Sequence, residues 1–314
     1  MAIETFQTLI ARNKRNSWLL IFIFTLFFVG LGLLIGYVWG GGDRRFSIAT
    51  AVIAAVIAFL LTLASYYGGA SAILSMSQAR QITKADDPQL FNVVEELAIA
   101  GGIPMPEVYL INDTAMNAFA TGRDPQHAVV AITTGLREKL TRDELQGVIG
   151  HELSHVRHYD ILFAMLVAVM VGVLVMLCDV FLRSLWWGGS SRRRSSSRQR
   201  EGGGGLIQVV LIVIAIVLAV LAPILARIIQ MALSRQREYM ADAGGVELTR
   251  NPTGLASALA KLAGDTEVLE VANRATAPLY IIHPIKKFEE RSSSIFDTHP
   301  PIQDRIKRLM AMMT

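Results

Sequence analysis

The stretch Thr141-Arg142-Asp143-Glu144-Leu145-Gln146-Gly147-Val148-Ile149-Gly150-His151-Glu152-Leu153-Ser154-His155 decides how the rest of the chain is read. Thr141 and Glu144 have the spacing of a capping box, so a helix starts here. Leu145, Val148 and Ile149 follow at helical spacing. Residues i and i+4 of a helix share a face, so His151 and His155 aim two imidazoles at one point. Glu152 stands about a quarter turn round, within reach of a water held by an ion between them. H-E-x-x-H on a helix is the pattern of a zinc peptidase, with two imidazole ligands and a carboxylate acting as general base.

A hydrolytic zinc takes three protein ligands and keeps one position for water. His158 shares the face of His151 and His155, but one short helix does not easily wrap three side chains round a tetrahedral ion. The version of the motif with a more distant third histidine needs glycine at position 158 and histidine at 161; this chain has His158 and Ile161. His127, His283 and His299 remain as candidates, beside the carboxylates. Glu238 is the best of these. It opens E-x-x-x-D, Glu238 to Asp242, just after an apolar run, whereas the His151 helix lies just before one. If the two runs pair as a hairpin, both helices emerge side by side and Glu238 completes a His-His-Glu set. Asp242, one turn on, can then hydrogen-bond a ligand imidazole and fix its tautomer. The competing reading makes both ordinary surface acids beside Arg235 and Arg237.

Of 314 residues, 52% are apolar and only 18% charged, against about 25% charged in an ordinary soluble domain. The apolar residues lie in four uncharged runs: 18–39, 48–76, 161–178 and 206–226. Each is long enough to cross about 30 Å of hydrocarbon as a helix, so the lipid bilayer is an expected partner. Gly68 and Gly69 suggest that the second span ends near Tyr67. The first run is too long for a cleavable signal and a second follows closely. Cys178 is the single cysteine, which excludes an intramolecular disulfide and a cysteine-based zinc site. Basic residues flank the spans, and the run Arg192-Arg193-Arg194 lies among serines in a low-complexity loop at 183–205, so no nucleic-acid partner is expected. Arg12, Lys14, Arg15, Arg80, Lys84, Arg157, Arg227, Arg235 and Arg237 on one side nearly balance Arg44, Arg45, Arg183, Arg192, Arg193, Arg194, Arg198 and Arg200 on the other. Charge therefore does not fix the orientation.

Between the spans the pattern is that of a soluble domain. Asp87-Pro88 starts a helix with Leu90, Val93, Val94 and Leu97 on one face, closed by Gly101-Gly102. Residues 107–111 and 127–133 read as strands, and 117–122 as strand or extended loop. Asn251-Pro252 opens a helix to about Leu262, residues 264–298 are irregular, and Pro300-Pro301 opens a last helix with Ile302, Ile306 and Leu309 on one face.

The segments N-A-F-A-T-G at 117–122, H-E-L-S-H at 151–155, S-R-Q-R-E-Y-M-A-D at 234–242 and T-H-P-P-I-Q-D-R-I at 298–306 together resemble the HtpX-type membrane metalloproteases, relatives of the type I CAAX prenyl proteases. The resemblance covers nearly the whole chain apart from the basic loop. It implies one Zn2+ per chain on His151, His155 and Glu238, with Glu152 as catalytic acid and base. It also implies a multi-pass protein of the bacterial inner membrane with a cytoplasmic catalytic domain, and it places His299 and Arg305 near the site as candidate oxyanion donors.

The expected fold is a mainly α membrane protein, with four transmembrane or membrane-inserted helices plus an α+β gluzincin-type metalloprotease domain carrying a small sheet. Its parts are an N-terminal transmembrane hairpin at 1–76, the first half of the protease domain at 77–160, a second hairpin at 161–228 and the second half at 229–314. Protein or peptide substrates are expected to bind extended along an edge formed by 117–122, with Asn117, Ala118 and Phe119, or by 127–133. A site so close to the bilayer suits membrane proteins cut in their exposed loops, as in quality control under stress. The rival classes are a structural zinc site, which needs a fourth protein ligand such as His158, and a metal carrier, which needs polar ligands within the spans.

Overall fold

The structure, a computed structural model, describes residues 6–170, 172–173, 235–265, 267–269, 279–281 and 300–313. The described residues are mostly helical with one small sheet. They divide into two compact units, one holding Trp18–Ala64 and the other Ser65–Val169 with the described residues up to Ser17 and from Arg235 onward.

The Trp18–Ala64 unit is built from α1 (Phe6–Trp39) and the first part of α2 (Arg44–Met76). Gly41 and Gly42, at φ of 59° and 88°, make the tight turn between them. Phe24, Phe28, Ala51 and Ala58 are buried between the helices, and Thr50 Oγ1 donates to the Gly32 carbonyl at 2.8 Å. Trp18, Phe22, Leu26, Val52 and Phe59 face outward. An apolar outer face on helices whose backbone is internally satisfied is the stable arrangement in lipid. Ile10–Tyr37 and Arg44–Met76 are long and apolar enough to cross a membrane. The third expected span begins as α6 (Asp160–Met170). Most of its remainder lies outside the described residues, as do the whole fourth run and the loop 183–205.

Gly68 and Gly69 do not end α2, which runs on to Met76. A Cβ on Gly69 would stand 3.0 Å from Met165 Cγ, so the missing side chain makes room for α6 rather than breaking the helix.

The other unit carries a four-stranded mixed sheet in the order β1-β2-β4-β3. β2 (Glu107–Ile111) runs parallel to β4 (Ala128–Thr133), while β1 (Arg80–Gln81) and β3 (Ala118–Gly122) are antiparallel to their neighbours. β3 is thus an edge strand, as is β1, whereas the 127–133 stretch supplies β4, paired on both sides and closed to an added strand. Between β1 and β2 runs α3 (Pro88–Gly101), whose first turn is capped by Asp87 accepting from the Leu90 N–H at 3.0 Å. Its Leu90, Val93, Val94 and Leu97 join Val130, Ile132, Leu145 and Ile149 in one core. α4 (Thr134–Lys139) leads from the sheet to α5 (Arg142–Arg157).

α5 is the hub. It packs on α3 and β3 and on α7 (Arg235–Thr249) and α8 (Pro252–Gly264), with α9 (Ile302–Met310) lying on α8. Its start is the capping box: Thr141 N–H donates to Glu144 Oε2 at 2.8 Å and Glu144 N–H to Thr141 Oγ1 at 3.4 Å. Its end is a break, with His158 as C-cap and Tyr159 at φ 61°, after which α6 departs at 83°. The bend returns the chain toward the histidine face it has just left.

Candidate metal centre

His151, Glu152 and His155 lie on α5, the first two fully within the core and His155 partly exposed. α7 lies across α5 at close range because Gly245 has no side chain. A Cβ there would meet His151 N at 2.9 Å. That approach brings Glu238 to the imidazole pair. His151 Nε2 and His155 Nε2 are 3.2 Å apart, and the Glu238 carboxylate oxygens stand 3.7 Å from the first and 3.6 Å from the second. Among the described residues, His151, His155 and Glu238 form the cluster able to hold a metal ion.

The donor set fits a small divalent cation. Tetrahedral bonds of about 2.0–2.2 Å put neighbouring donors about 3.3–3.6 Å apart, close to the three separations seen. Tautomers point the same way. His151 Nδ1 faces Asp242 Oδ1 at 2.9 Å and His155 Nδ1 faces Asp160 Oδ2 at 3.0 Å. A carboxylate only accepts, so Asp242 and Asp160 favour a proton on each Nδ1, and on a neutral ring that leaves the Nε2 lone pair for an ion, with Arg305 Nη2 also 3.3 Å from His151 Nδ1. The 3.2 Å between the two Nε2 atoms suits either a proton shared between them or an ion held by both.

The surrounding charge agrees. Burial depresses the His155 pKa, but Asp160, Glu238 and Glu152 outweigh it and lift it to about 9. Burial dominates at His151 and lowers its pKa. The pocket thus stabilises one positive charge near the two Nε2 atoms and disfavours two. Glu152, 3% exposed, is pushed up to about 7, chiefly by burial and further by Glu238, against His155, the Ala120 N–H and Arg305.

Arg305 on α9 is fully buried and holds Asp242 with Nε at 2.9 Å and Nη2 at 2.7 Å. Its Nη1 stands 3.6 Å from Glu238 and donates to the Ile281 carbonyl at 3.4 Å. The guanidinium therefore faces the carboxylates around the imidazoles. His158 caps α5 and turns its Nδ1 toward Ser154 Oγ at 3.4 Å. His127 pairs with Asp124 at 2.7 Å beyond β3. His283 and His299 lie outside the described residues.

A cavity opens beside the donors, walled by Ala120, Ile161, Ala164, Val167, Ala168 and Tyr280. β3 forms part of its rim. Asn117 is buried, with its N–H donating to Thr133 Oγ1 and its Oδ1 accepting from the Ala118 N–H. Phe119 is buried edge-on against Tyr280, with ring centroids 5.1 Å apart. Ile281 N–H donates to the Ala118 carbonyl at 2.9 Å, so one acceptor of that edge is already taken by the chain itself.

Residues 84–313 match the family model described as Peptidase family M48. The chain belongs to peptidase family M48. It is 44% identical over 304 residues to a "Protease HtpX homolog" of Lactobacillus acidophilus, covering 96% of this chain and 98% of that one. A protein of the same name from Dictyoglomus turgidum is 43% identical over 314 residues, with coverage of 98% and 95%. Among solved structures the chain is similar to Ste24p of S. mikatae at 17% identity and a TM-score of 0.47, covering 96% of this chain and 66% of that one, a little under two thirds of its length. The HtpX-type resemblance read from the four sequence segments therefore named the right family. As an M48 member with two apolar helices of spanning length, the protein is a membrane-associated metalloprotease.

Three residues outside the quoted motifs, Asn13, Asp160 and Tyr280, surround the site of this M48 chain, together with Arg237 from the 234–242 segment. Asp160 holds His155, Arg237 lies 3.7 Å from Asp160, Asn13 donates to Asp160 at 2.6 Å, and Tyr280 backs the cavity. Asp160 had one available signal, an acid directly after the helix and beside the second histidine. Asn13 and Tyr280 had none, since nothing local ties them to residues so far along the chain.

Proposed function

We propose that this M48 protein is a gluzincin-type zinc metalloendopeptidase, with His151, His155 and Glu238 as ligands and Glu152 as acid and base. The observation that carries this is the triangle of two Nε2 atoms and the Glu238 carboxylate at tetrahedral-edge spacing, with buried Glu152 on the same helix. A nitrogen-rich donor set with one carboxylate supports zinc over magnesium or calcium.

When bound, zinc acidifies a water and polarises the scissile carbonyl. Glu152 accepts the water's proton on its carboxylate and passes it to the leaving nitrogen. Burial raises its affinity for the proton it has to take and pass on. Asp242 and Asp160 hold the Nδ1 protons of His151 and His155, so that both Nε2 atoms stay available as ligands. Arg305 balances the buried charge of Asp242 and Glu238. An extended substrate adds along β3 near Asn117, Ala118 and Phe119, beyond the Ala118 carbonyl that Ile281 takes, read through backbone groups and hence with loose sequence preference. An apolar substrate side chain fits the wall formed by Ile161, Ala164 and Ala168.

The same features support a biological setting. α6 leaves the site as the start of an apolar run, which favours misfolded or membrane-embedded proteins as substrates and a role in proteolytic quality control under stress. The bacterial inner membrane, with four membrane-inserted helices and a catalytic domain on the cytoplasmic side, agrees with the family resemblance. So does a protease domain divided between 77–160 and 229–314. Full-length protein in detergent, loaded with zinc, should cleave an unfolded test protein. Glu152→Gln should keep the metal and lose cleavage, and persistent cleavage by that variant would remove Glu152 from its assigned role.

A further inference from the structure

Asn13 lies on α1 five residues before the first apolar run, yet it is only 1% exposed. Its side-chain amide reaches across 147 residues of sequence. Nδ2 donates to Asp160 Oδ1 at 2.6 Å and to the His158 carbonyl at 2.9 Å. These two acceptors bracket the break at Tyr159, where the chain leaves α5 and turns into α6. The other oxygen of Asp160, Oδ2, faces His155 Nδ1 at 3.0 Å. A continuous path therefore runs from Asn13 through Asp160 to His155. Asn13 Oδ1 is buried and has no partner among the described residues, so in this site the amide acts as a donor. One carbonyl and one carboxylate oxygen are what it meets, and both only accept.

We propose that Asn13 is a positioning residue of the metal centre: the helix that continues into the first membrane span supplies the donor that fixes Asp160, and through it the orientation of His155. This rests on the reading of His151, His155 and Glu238 as metal ligands. Asp160 is otherwise approached by Arg237 Nη1 at 3.7 Å, too long for a good hydrogen bond. Without Asn13 the Asp160 carboxylate keeps only the His155 contact and the longer approach of Arg237, so the His155 ring is held less firmly. Lys14, the next residue, also ties α1 to this region, with Nζ 4.1 Å from the Tyr159 ring centre, but it makes no bond to Asp160. Docking of the helix and orientation of the ligand can thus be separated by mutation.

The test uses the full-length protein in detergent, loaded with zinc, and reads the rate of zinc release to a chromogenic chelator beside the unfolding midpoint. Groups that hold a ligand histidine are commonly worth 10–100-fold in metal affinity. Asn13→Ala, one bond further out, should release zinc about tenfold faster, while Lys14→Ala should release it at the wild-type rate. In an Asp160→Asn background, Asn13→Ala should add little, because the path is already cut. Equal acceleration by Lys14→Ala, or full additivity with Asp160→Asn, would reduce Asn13 to a fastening of α1 and overturn the inference. Zinc held by wild type and released at the same rate from Asn13→Ala would overturn it alone. A wild-type protein that binds no zinc at all would overturn the ligand reading and this inference together.

Discussion

Arg305 grips Asp242 with two parallel bonds, Nε to Oδ2 at 2.9 Å and Nη2 to Oδ1 at 2.7 Å, and neither residue reaches solvent appreciably. The pair ties α9, at the end of the chain, to the imidazole of His151 on α5. Removing the cation alone strands two buried carboxylates, Asp242 and Glu238. Arg305→Met should therefore cost about 3–5 kcal/mol, read as a large fall in the unfolding midpoint. Arg305→Lys should recover only part of it, since one ammonium does not match both oxygens of Asp242. A stable Arg305→Met protein would show that the charges are balanced elsewhere.

Asp242 faces His151 Nδ1 at 2.9 Å, which on the proposed ligand set holds the tautomer of that ring. Asp242→Asn keeps the shape but removes the charge and one of the acceptors facing Arg305. Zinc affinity, measured by competition with a chelator, should fall about 10–100-fold while the helical content holds. An unchanged affinity would mean that His151 keeps its tautomer without help.

Gly245 is where α7 touches α5. The Cβ of Gly245→Ala would lie 2.9 Å from His151 N and 3.2 Å from Gly150 C, both backbone atoms that do not swing aside. The helices must part, at about 1–3 kcal/mol for overpacking, and Glu238 moves off with α7. Weaker metal retention and a lower midpoint should therefore appear together. Loss of stability with full metal affinity would show that α7 adjusts without carrying Glu238 away.

Ala164 and Ala168 stand one helical turn apart on the cavity wall. A phenylalanine at either position fills space that a substrate side chain would use. Ala168→Phe should raise KM for large apolar residues at the cleaved bond and leave zinc content intact. An unchanged cleavage pattern would place the substrate elsewhere.

Glu144 gives a pH signature distinct from the metal. Burial raises its pKa, but hydrogen bonds from Lys261, Ser257 and Thr141 prevail and bring it from 4.5 down to about 2. A carboxylate depressed by folding stabilises the native state above its unfolded pKa. That contribution disappears as pH falls from about 4.5 through about 2. In metal-free protein, wild type and Glu144→Gln should differ by about 2 kcal/mol near neutral pH, discounted for the half-exposed Lys261. The gap should close over that acid window. A gap that persists unchanged at pH 2 would assign the stabilisation to the capping geometry instead of the charge.

Much of this protein is written in short-range pattern. His151 and His155 share a face because a helix repeats every 3.6 residues, and Thr141 with Glu144 announces where that helix begins. The spans at 18–39 and 48–76 follow from uncharged length, as α3 follows from Asp87 and Gly102. Glu238 was legible only by inference, from its place after an apolar run. Tertiary structure decided what lies around the imidazoles. The break at Tyr159 swings Asp160 back to His155, and α9 delivers Arg305 to Asp242. Asn13, near the start of the first helix of spanning length, reaches Asp160. Those contacts come from helix crossings and one 83° bend, and they join residues up to 147 positions apart. Local periodicity fixes directions within an element, whereas the meeting of distant side chains depends on how closely the elements pack, which here turns on a glycine at 245 and a left-handed residue at 159.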